Sequence, residues 1–210
     1  MYSISDMFYS IQGEGAAVGR PMVFLRFAEC NLHCSFCDTD FSVRQVFEEP
    51  ALIRKALEML VPENTIVRDV CLTGGEPFLQ IDAALIAELM ESFPKVHIES
   101  NGTLPWPDGI VGTLAGLGLG KGIAYLTVSP KRGTLWCKTL KPFAVKVIDE
   151  GQDLSTYTHF YGDLPAYYLQ PITTDDENTN AVNRLNTAIR VMRNPRWRLS
   201  LQTHKWIGVV

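Results

Sequence analysis

The sequence predicts an α/β fold, a partial (βα)6-type, TIM-like barrel with trimmed or missing helices. Three observations predict it. Short apolar runs recur along the chain, with helical patterns between some of them; that order gives a mostly parallel sheet with right-handed crossovers. The polar, glycine-bearing segments TGGEP, ESNG, VSPK, LQP and QTHK each follow such a run, and functional residues gathered behind strands mark (βα) barrels and open α/β sheets alike. The helices are too few for eight units, so the pattern stops at about six strands.

The elements follow in order. PMVFLRF (21–27) is short, continuous and bulky, as a buried strand is. PALIRKALEML (50–60) reads as a helix with Leu52, Ile53, Ala56, Leu57 and Leu60 on one face. Pro50 suits its first turn, and Glu48 and Glu49 suit the positive end of its dipole. TIVRDVCL (65–72) reads as a strand, and IDAALIAELMESF (81–93) as a helix capped by Asp82. KVHIES, IAYLTVS, FAVKVID and AYYLQP read as further strands. No crossover helix is legible between IAYLTVS and FAVKVID, and WPDGIVGTLAGLGLG is a poor helix. NTNAVNRLNTAIRVMRN is the clearest helix: Ala181, Leu185, Ala188, Ile189 and Met192 share a face, and Pro195 stops it. WRLSLQTHK (197–205) reads as a last strand. No repeat, low-complexity tract or linker divides residues 1–210, so one domain is expected.

The composition, 46% hydrophobic, is enough for a core. A net charge of -4 and the lack of a basic stripe argue against a nucleic-acid partner. The opening MYSISDMFYS has no basic region and no long apolar run, so it is not a signal peptide, and no segment approaches a membrane span. The expectation is a soluble cytoplasmic protein without a membrane partner.

Three of the five cysteines, Cys30, Cys34 and Cys37, crowd into ECNLHCSFCDTDF (29–41). Cys71 reads as a small buried hydrophobe, and Cys137 receives no role. A structural zinc site wants four protein ligands. His33 is the available fourth, but it directly precedes Cys34 and is poorly placed to share one ion with it. A zinc-stabilised interaction module stays open as the non-enzymatic alternative. A four-iron cube normally takes four thiolates, so three leave one iron for another ligand.

The spacing Cys-x3-Cys-x2-Cys, with Phe36 just before the last cysteine, resembles the signature of the radical S-adenosylmethionine (SAM) superfamily. The resemblance implies a [4Fe-4S] cluster on Cys30, Cys34 and Cys37 whose open iron is chelated by SAM. TGGEP matches the superfamily's glycine-rich turn and implies SAM contacts at Gly75 and Glu76, with Glu76 accepting from the ammonium group. VSPK and LQP imply further SAM contacts at Ser129, Lys131 and Gln170; Lys131 and Gln170 read equally as plain polar residues.

YSIQGEG, PMVFLRFAECNLHCSFCDTDF, TGGEP, SNG, VSPK, LQP and SLQTHK, in that order, closely resemble the 7-carboxy-7-deazaguanine synthase family. That family contracts the ring of 6-carboxy-5,6,7,8-tetrahydropterin and releases ammonia, a carbon–nitrogen lyase reaction in the biosynthesis of queuosine-type 7-deazapurines. The resemblance implies substrate contacts at Ile11, Gln12, Gly13, Glu14, Arg26, Thr73 and His204, SAM contacts at Phe36 and Asp38, and a Mg²⁺ ligand at Thr39. It also implies an electron donor such as flavodoxin, and a homodimer. By itself IQGEG reads as a surface turn, and Thr39 as a cap or turn residue. Arg26 stands inside an apolar strand, where a charge needs a partner; the substrate carboxylate, Glu14 and Glu29 are the candidates. The apolar tail ending at Val210 either delivers its terminal carboxylate to the pterin edge or packs on the core or a dimer interface. A glycyl-radical activating enzyme is the alternative within the superfamily; the chain lacks that group's extra cysteine runs.

Overall fold

The computed structural model describes residues 1–112 and 124–209. Its strands are β1 (Tyr2–Ile11), β2 (Pro21–Phe27), β3 (Gln45–Phe47), β4 (Asp69–Gly74), β5 (Lys95–Ser100), β6 (Ala124–Val128), β7 (Ala144–Asp149), β8 (Ala166–Pro171) and β9 (Trp197–Leu199). They form one sheet in the order β3-β1-β2-β4-β5-β6-β7-β8-β9. From β2 through β9 along that order every pair is parallel, while β1 runs antiparallel to both of its neighbours. Among the described residues no pairing joins β9 to the other edge, so the barrel is partial. Among the described residues, helices of five residues or more are α1 (Pro50–Glu58), α2 (Ala83–Met90), α3 (Ser155–Tyr161), α4 (Glu177–Arg193) and α5 (Thr203–Ile207).

Alternation along the parallel strands separates two faces. Val23, Leu25, Val70, Leu72, Val96 and Ile98 join Ile53, Leu57, Leu85, Ile86 and Leu89 of α1 and α2 in the main core. Val145, Val147, Tyr167 and Leu169 pack with Tyr157 of α3 and with Trp197. Each fully buried Leu or Ile contributes about 1.5–3 kcal/mol, which fixes the register. A slip of one residue would turn Leu25 and Leu72 into the lumen and Arg26 and Thr73 into the core.

Several expectations hold. Asp82 caps α2, its Oδ1 accepting from Leu85 N at 2.8 Å, and no helix lies between β6 and β7. Others need correction. The residues read as a last strand divide: only Trp197–Leu199 pairs, and Thr203–Ile207 is a helix. β4 begins at Asp69, not at residue 65. β1, β3 and α3 are absent from the sequence reading; β1 interrupts its apolar residues with Ser and Asp and so carries no clean period of two. On α1 only Ile53 and Leu57 are buried, while Leu52 and Leu60 are exposed. The largest reversal is α4. Its buried residues are Asn180 and Thr187, and Leu185 and Met192 of the expected core face are 62% and 73% exposed. The glycine-rich stretch at 113–123 lies outside the described residues.

Candidate functional site

Alternate strand residues turn into the lumen and line one cavity of about 350 Å³: Phe24 and Arg26 of β2, Cys71 and Thr73 of β4, Glu99 of β5, Lys146 and Ile148 of β7, and Gln170 of β8. The end of β1 at Ile11, the loops and α5 complete the wall: Gln12, Gly13 and Glu14, then Cys30, Cys34, Phe36, Cys37, Asp38 and Thr39, then Gly75, Ser129 and Lys131, and His204 of α5. The sequence-derived residues therefore converge, with two exceptions. Val210 lies outside the described residues. Glu76 is fully buried and is not part of the wall.

Glu76 braces the turn. Its Oε1 accepts from Phe78 N at 3.0 Å and Ser100 Oγ at 2.9 Å, and its Oε2 from Asn101 N at 2.7 Å. Burial pushes this carboxyl up, against the pull of those donors. Both oxygens are engaged by the protein, and its three donors leave the carboxylate one acceptor site. The glycines before it also have a local reason. A Cβ on Gly74 would stand 2.2 Å from Phe27 O, and one on Gly75 1.7 Å from Glu29 O. The close approach is between this turn and the start of the cysteine loop.

At the thiol end, Cys30 and Cys34 are half-buried and Cys37 is exposed. Burial pushes the Cys30 and Cys34 thiols up; the Cys37 sulfur adds to this in both, and Lys131 opposes it at Cys34. Asn31 ties the loop to the segment after β5, donating to Thr103 Oγ1 at 2.8 Å and accepting from Asn101 Nδ2 at 2.9 Å. Lys131 Nζ donates to Ser129 Oγ at 2.9 Å and lies 5.8 Å from the Phe36 ring centre. Burial lowers the Lys131 pKa, and the charge of Lys146 lowers it further. His33 is exposed and off the wall. The donor set offered to the cavity is thus three thiols without that imidazole, which fits a cluster that leaves one iron to an exogenous ligand. Ser129 and Lys131 stand ready for an anionic or hydroxylated cofactor.

The opposite end is charged and nearly dry. Because β1 is antiparallel, Ile11 lies beside Pro21 at the start of β2, and the loop after it rises into the lumen. Gln12 is 7% exposed, which corrects the surface-turn alternative. Glu14 Oε2 pairs with Lys146 Nζ at 2.5 Å, and Glu14 Oε1 accepts from Gln170 Nε2 at 3.0 Å. Lys146 also pairs with Glu99 at 3.0 Å. Burial pushes the Glu14 carboxyl up, but the Lys146 ammonium and its hydrogen-bond donors outweigh that and hold it below the usual range. Burial likewise disfavours the Lys146 ammonium, and the two carboxylates more than reverse the effect. Glu14 is therefore the partner of Lys146, not of Arg26. Among the described residues the buried Arg26 Nε has no hydrogen-bond partner, and its guanidinium carbon lies 5.3 Å from the Phe8 ring centre. A buried orphan donor facing a cavity fits an anionic ligand.

The C-terminal strap closes the side. Thr203 N donates to Gly13 O at 3.0 Å, Gly15 N to Ser200 Oγ at 3.0 Å, and Lys205 Nζ to Asp38 at 2.7 Å. His204 packs on Gly13, where a Cβ would fall 1.9 Å from its Nδ1. Asp38 thus joins the cysteine loop to α5. The sequence reading missed Lys146, Glu99 and the wall position of Cys71. Lys146 carries the same signal as Arg26, a lone cation in an apolar strand.

Three comparisons bear on this site. The family model described as the radical SAM superfamily matches residues 25–133. The chain is similar to the 7-carboxy-7-deazaguanine synthase of Bacteroides thetaiotaomicron, at 41% identity over 100% of this chain and 99% of the relative. It is similar to the protein of that name from Bordetella pertussis at 34% identity, over 99% of each chain. Among solved structures it resembles QueE from Escherichia coli in fold, with a TM-score of 0.67, 22% identity, and 95% of this chain and 93% of that one covered.

Proposed function

Because the chain belongs to the radical SAM superfamily and, within it, to the 7-carboxy-7-deazaguanine synthase family, we propose that it is the carbon–nitrogen lyase that contracts 6-carboxy-5,6,7,8-tetrahydropterin to 7-carboxy-7-deazaguanine with release of ammonia. One observation carries the reading. Arg26, whose buried Nε has no hydrogen-bond partner among the described residues, lines the same cavity as the three thiols, so an anionic substrate can lie within reach of a thiolate-held group.

A [4Fe-4S] cluster held by Cys30, Cys34 and Cys37 would supply, with SAM, the one-electron chemistry that starts the reaction. The other roles belong to this chain's own residues. Arg26 holds the substrate carboxylate, and Thr73 and Gln12 border the ring. Glu14 meets the pyrimidine edge, whose ring N–H and exocyclic amine ask for a carboxylate. Phe36, Ser129 and Lys131 hold the cofactor side, and His204 on its strap keeps water from the pterin. Thr39, at the rim of the cysteine loop, offers a hydroxyl to Mg²⁺, an ion that prefers oxygen ligands. The reading is of a one-domain cytoplasmic enzyme, reduced by a small acidic electron carrier such as flavodoxin.

The homodimer draws support from α4. Its outward face presents Val182, Leu185 and Met192. Asp175, Asp176 and Glu177 are exposed at its start, and Arg193, Arg196 and Arg198 at and beyond its end. Two copies of such a helix packed antiparallel about a two-fold axis bury the apolar stripe and pair acidic ends with basic ones.

The test is an anaerobic assay of the reconstituted protein with SAM, reductant and the carboxypterin, read by mass spectrometry. Product should form in the parent. Cys30→Ala, Cys34→Ala and Cys37→Ala should each lose the cluster absorbance and SAM cleavage, and Cys71→Ala should keep both. A parent with bound cluster that cleaves SAM but leaves the carboxypterin unchanged overturns the assignment.

A further inference from the structure

Lys146 belongs to none of the motifs that carry the family resemblance, and the roles assigned above do not use it. Its ammonium is nearly buried, at 7% residue exposure, and is shared between two carboxylates on different elements, Glu14 of the loop after β1 and Glu99 of β5. All three side chains line the cavity. Two carboxylates that share one nitrogen stand close together, and without that nitrogen their like charges repel across a desolvated wall. The other charged or titratable groups facing the trio are Arg26 from β2, Cys71 from β4, Lys131 from the loop after β6, and His204 and Lys205 from α5. None of these side chains makes an ion pair with Glu14 or Glu99.

We propose that Lys146 is a positioning residue for the pterin: its ammonium, paired with both Glu14 and Glu99, holds Glu14 as an ionised carboxylate that meets the paired N–H groups of the pyrimidine edge. The inference rests on the pterin reading and deepens it. Lys146 acts through Glu14. The Glu14 Oε2 is turned to the ammonium and its Oε1 to Gln170, Gln202 adds a third donor, and the carboxylate keeps one acceptor site for a ligand donor. Without the ammonium one proton moves onto the carboxylate pair from solvent, and the acceptor becomes an acid. A pterin edge that needs an acceptor must then displace that proton, which returns to the buffer on binding.

This proton is the readout. The probe is 6-carboxypterin, the oxidised analogue with the same carboxylate and pyrimidine edge. It is titrated by calorimetry into the anaerobically reconstituted holoenzyme at pH 7, in two buffers of different ionisation enthalpy. The variants are Lys146→Met, Lys146→Gln and Lys146→Arg. Lys146→Gln still donates to both carboxylates but carries no charge, and it serves if Lys146→Met does not fold. The neutral variants should bind 6-carboxypterin about 10- to 100-fold more weakly, the loss expected for a charge-assisted pairing, and should release close to one more proton per ligand than the parent. Lys146→Arg should return the proton count to the parental value. SAM cleavage without pterin and the cluster spectrum should stay parental throughout. A Lys146→Gln protein that binds the analogue with parental affinity and proton count overturns the inference alone. A parent that does not bind the analogue at all removes the pterin reading, and the inference with it.

Discussion

Glu14 shows how one side chain links stability to the site. Its carboxyl has an ordinary value of 4.5 and is held lower in the fold by Lys146 and three amide or ammonium hydrogen bonds, against the opposing effect of burial. A depressed folded value means that the unfolded chain binds the proton first. The stabilisation is therefore complete above about pH 4.5 and is lost as pH falls through the folded value. Glu14→Gln should cost about 1–3 kcal/mol at pH 7 and flatten the acid limb of Tm against pH below 4.5, as scanning fluorimetry would show. A variant whose acid limb matches the parent's would place the linkage elsewhere. At this scale the sequence was legible where chemistry needs an unusual residue type. Three clustered thiols and a lone Arg in an apolar strand announce themselves. Glu76 also braces its turn through Phe78, Ser100 and Asn101, a role that was not legible, because no pattern of neighbours in sequence reveals partners 24 and 25 residues away.

Among the elements, the short ones carry the most information and were the hardest to read. α5 is five residues long, THKWI, too short for a helical period to show, and its opening THK passes for a strand end. Its position is set by contacts with Gly13 and Asp38, which are distant in the chain. Gly13→Ala should test this packing, since the added Cβ would fall on the His204 ring and backbone. The strap should lift and product formation fall at least tenfold, with cluster absorbance and SAM cleavage near parental. Parental turnover would mean that His204 has no part in the site. The long parallel strands were read correctly because both of their faces leave a trace: branched apolar residues toward the helices, and Arg26, Thr73, Glu99, Lys146 and Gln170 at alternate places toward the lumen. α4 misled because its apolar stripe faces outward, and periodicity tells that a stripe exists but not what covers it.

For the whole molecule that stripe makes a prediction about assembly. Leu185→Glu together with Met192→Glu should leave the unfolding free energy of the protomer within about 1 kcal/mol of the parent's, because both side chains are exposed, and should convert a dimer to a monomer in light scattering. A double variant that remains dimeric moves the interface off α4. The larger property is how the sheet ends. Its first and last strands are not zipped together among the described residues; the gap is spanned by the loop after β1, through hydrogen bonds from Gly15 to Ser200 and from Thr203 to Gly13. Parting this seam breaks no strand pair. Its cost is that of three hydrogen bonds, one from Gly15 to Ser200 and two from Thr203 N and Oγ1 to Gly13 O, roughly 1.5–4.5 kcal/mol, as long as Glu14 stays on Lys146 and Gln170. The reaction chamber therefore has a door in its wall. Traffic of pterin in and product out can run at the opening rate of that door while the rest of the ring stays shut, and whatever binds beside Gly13 and His204 also acts as its bolt.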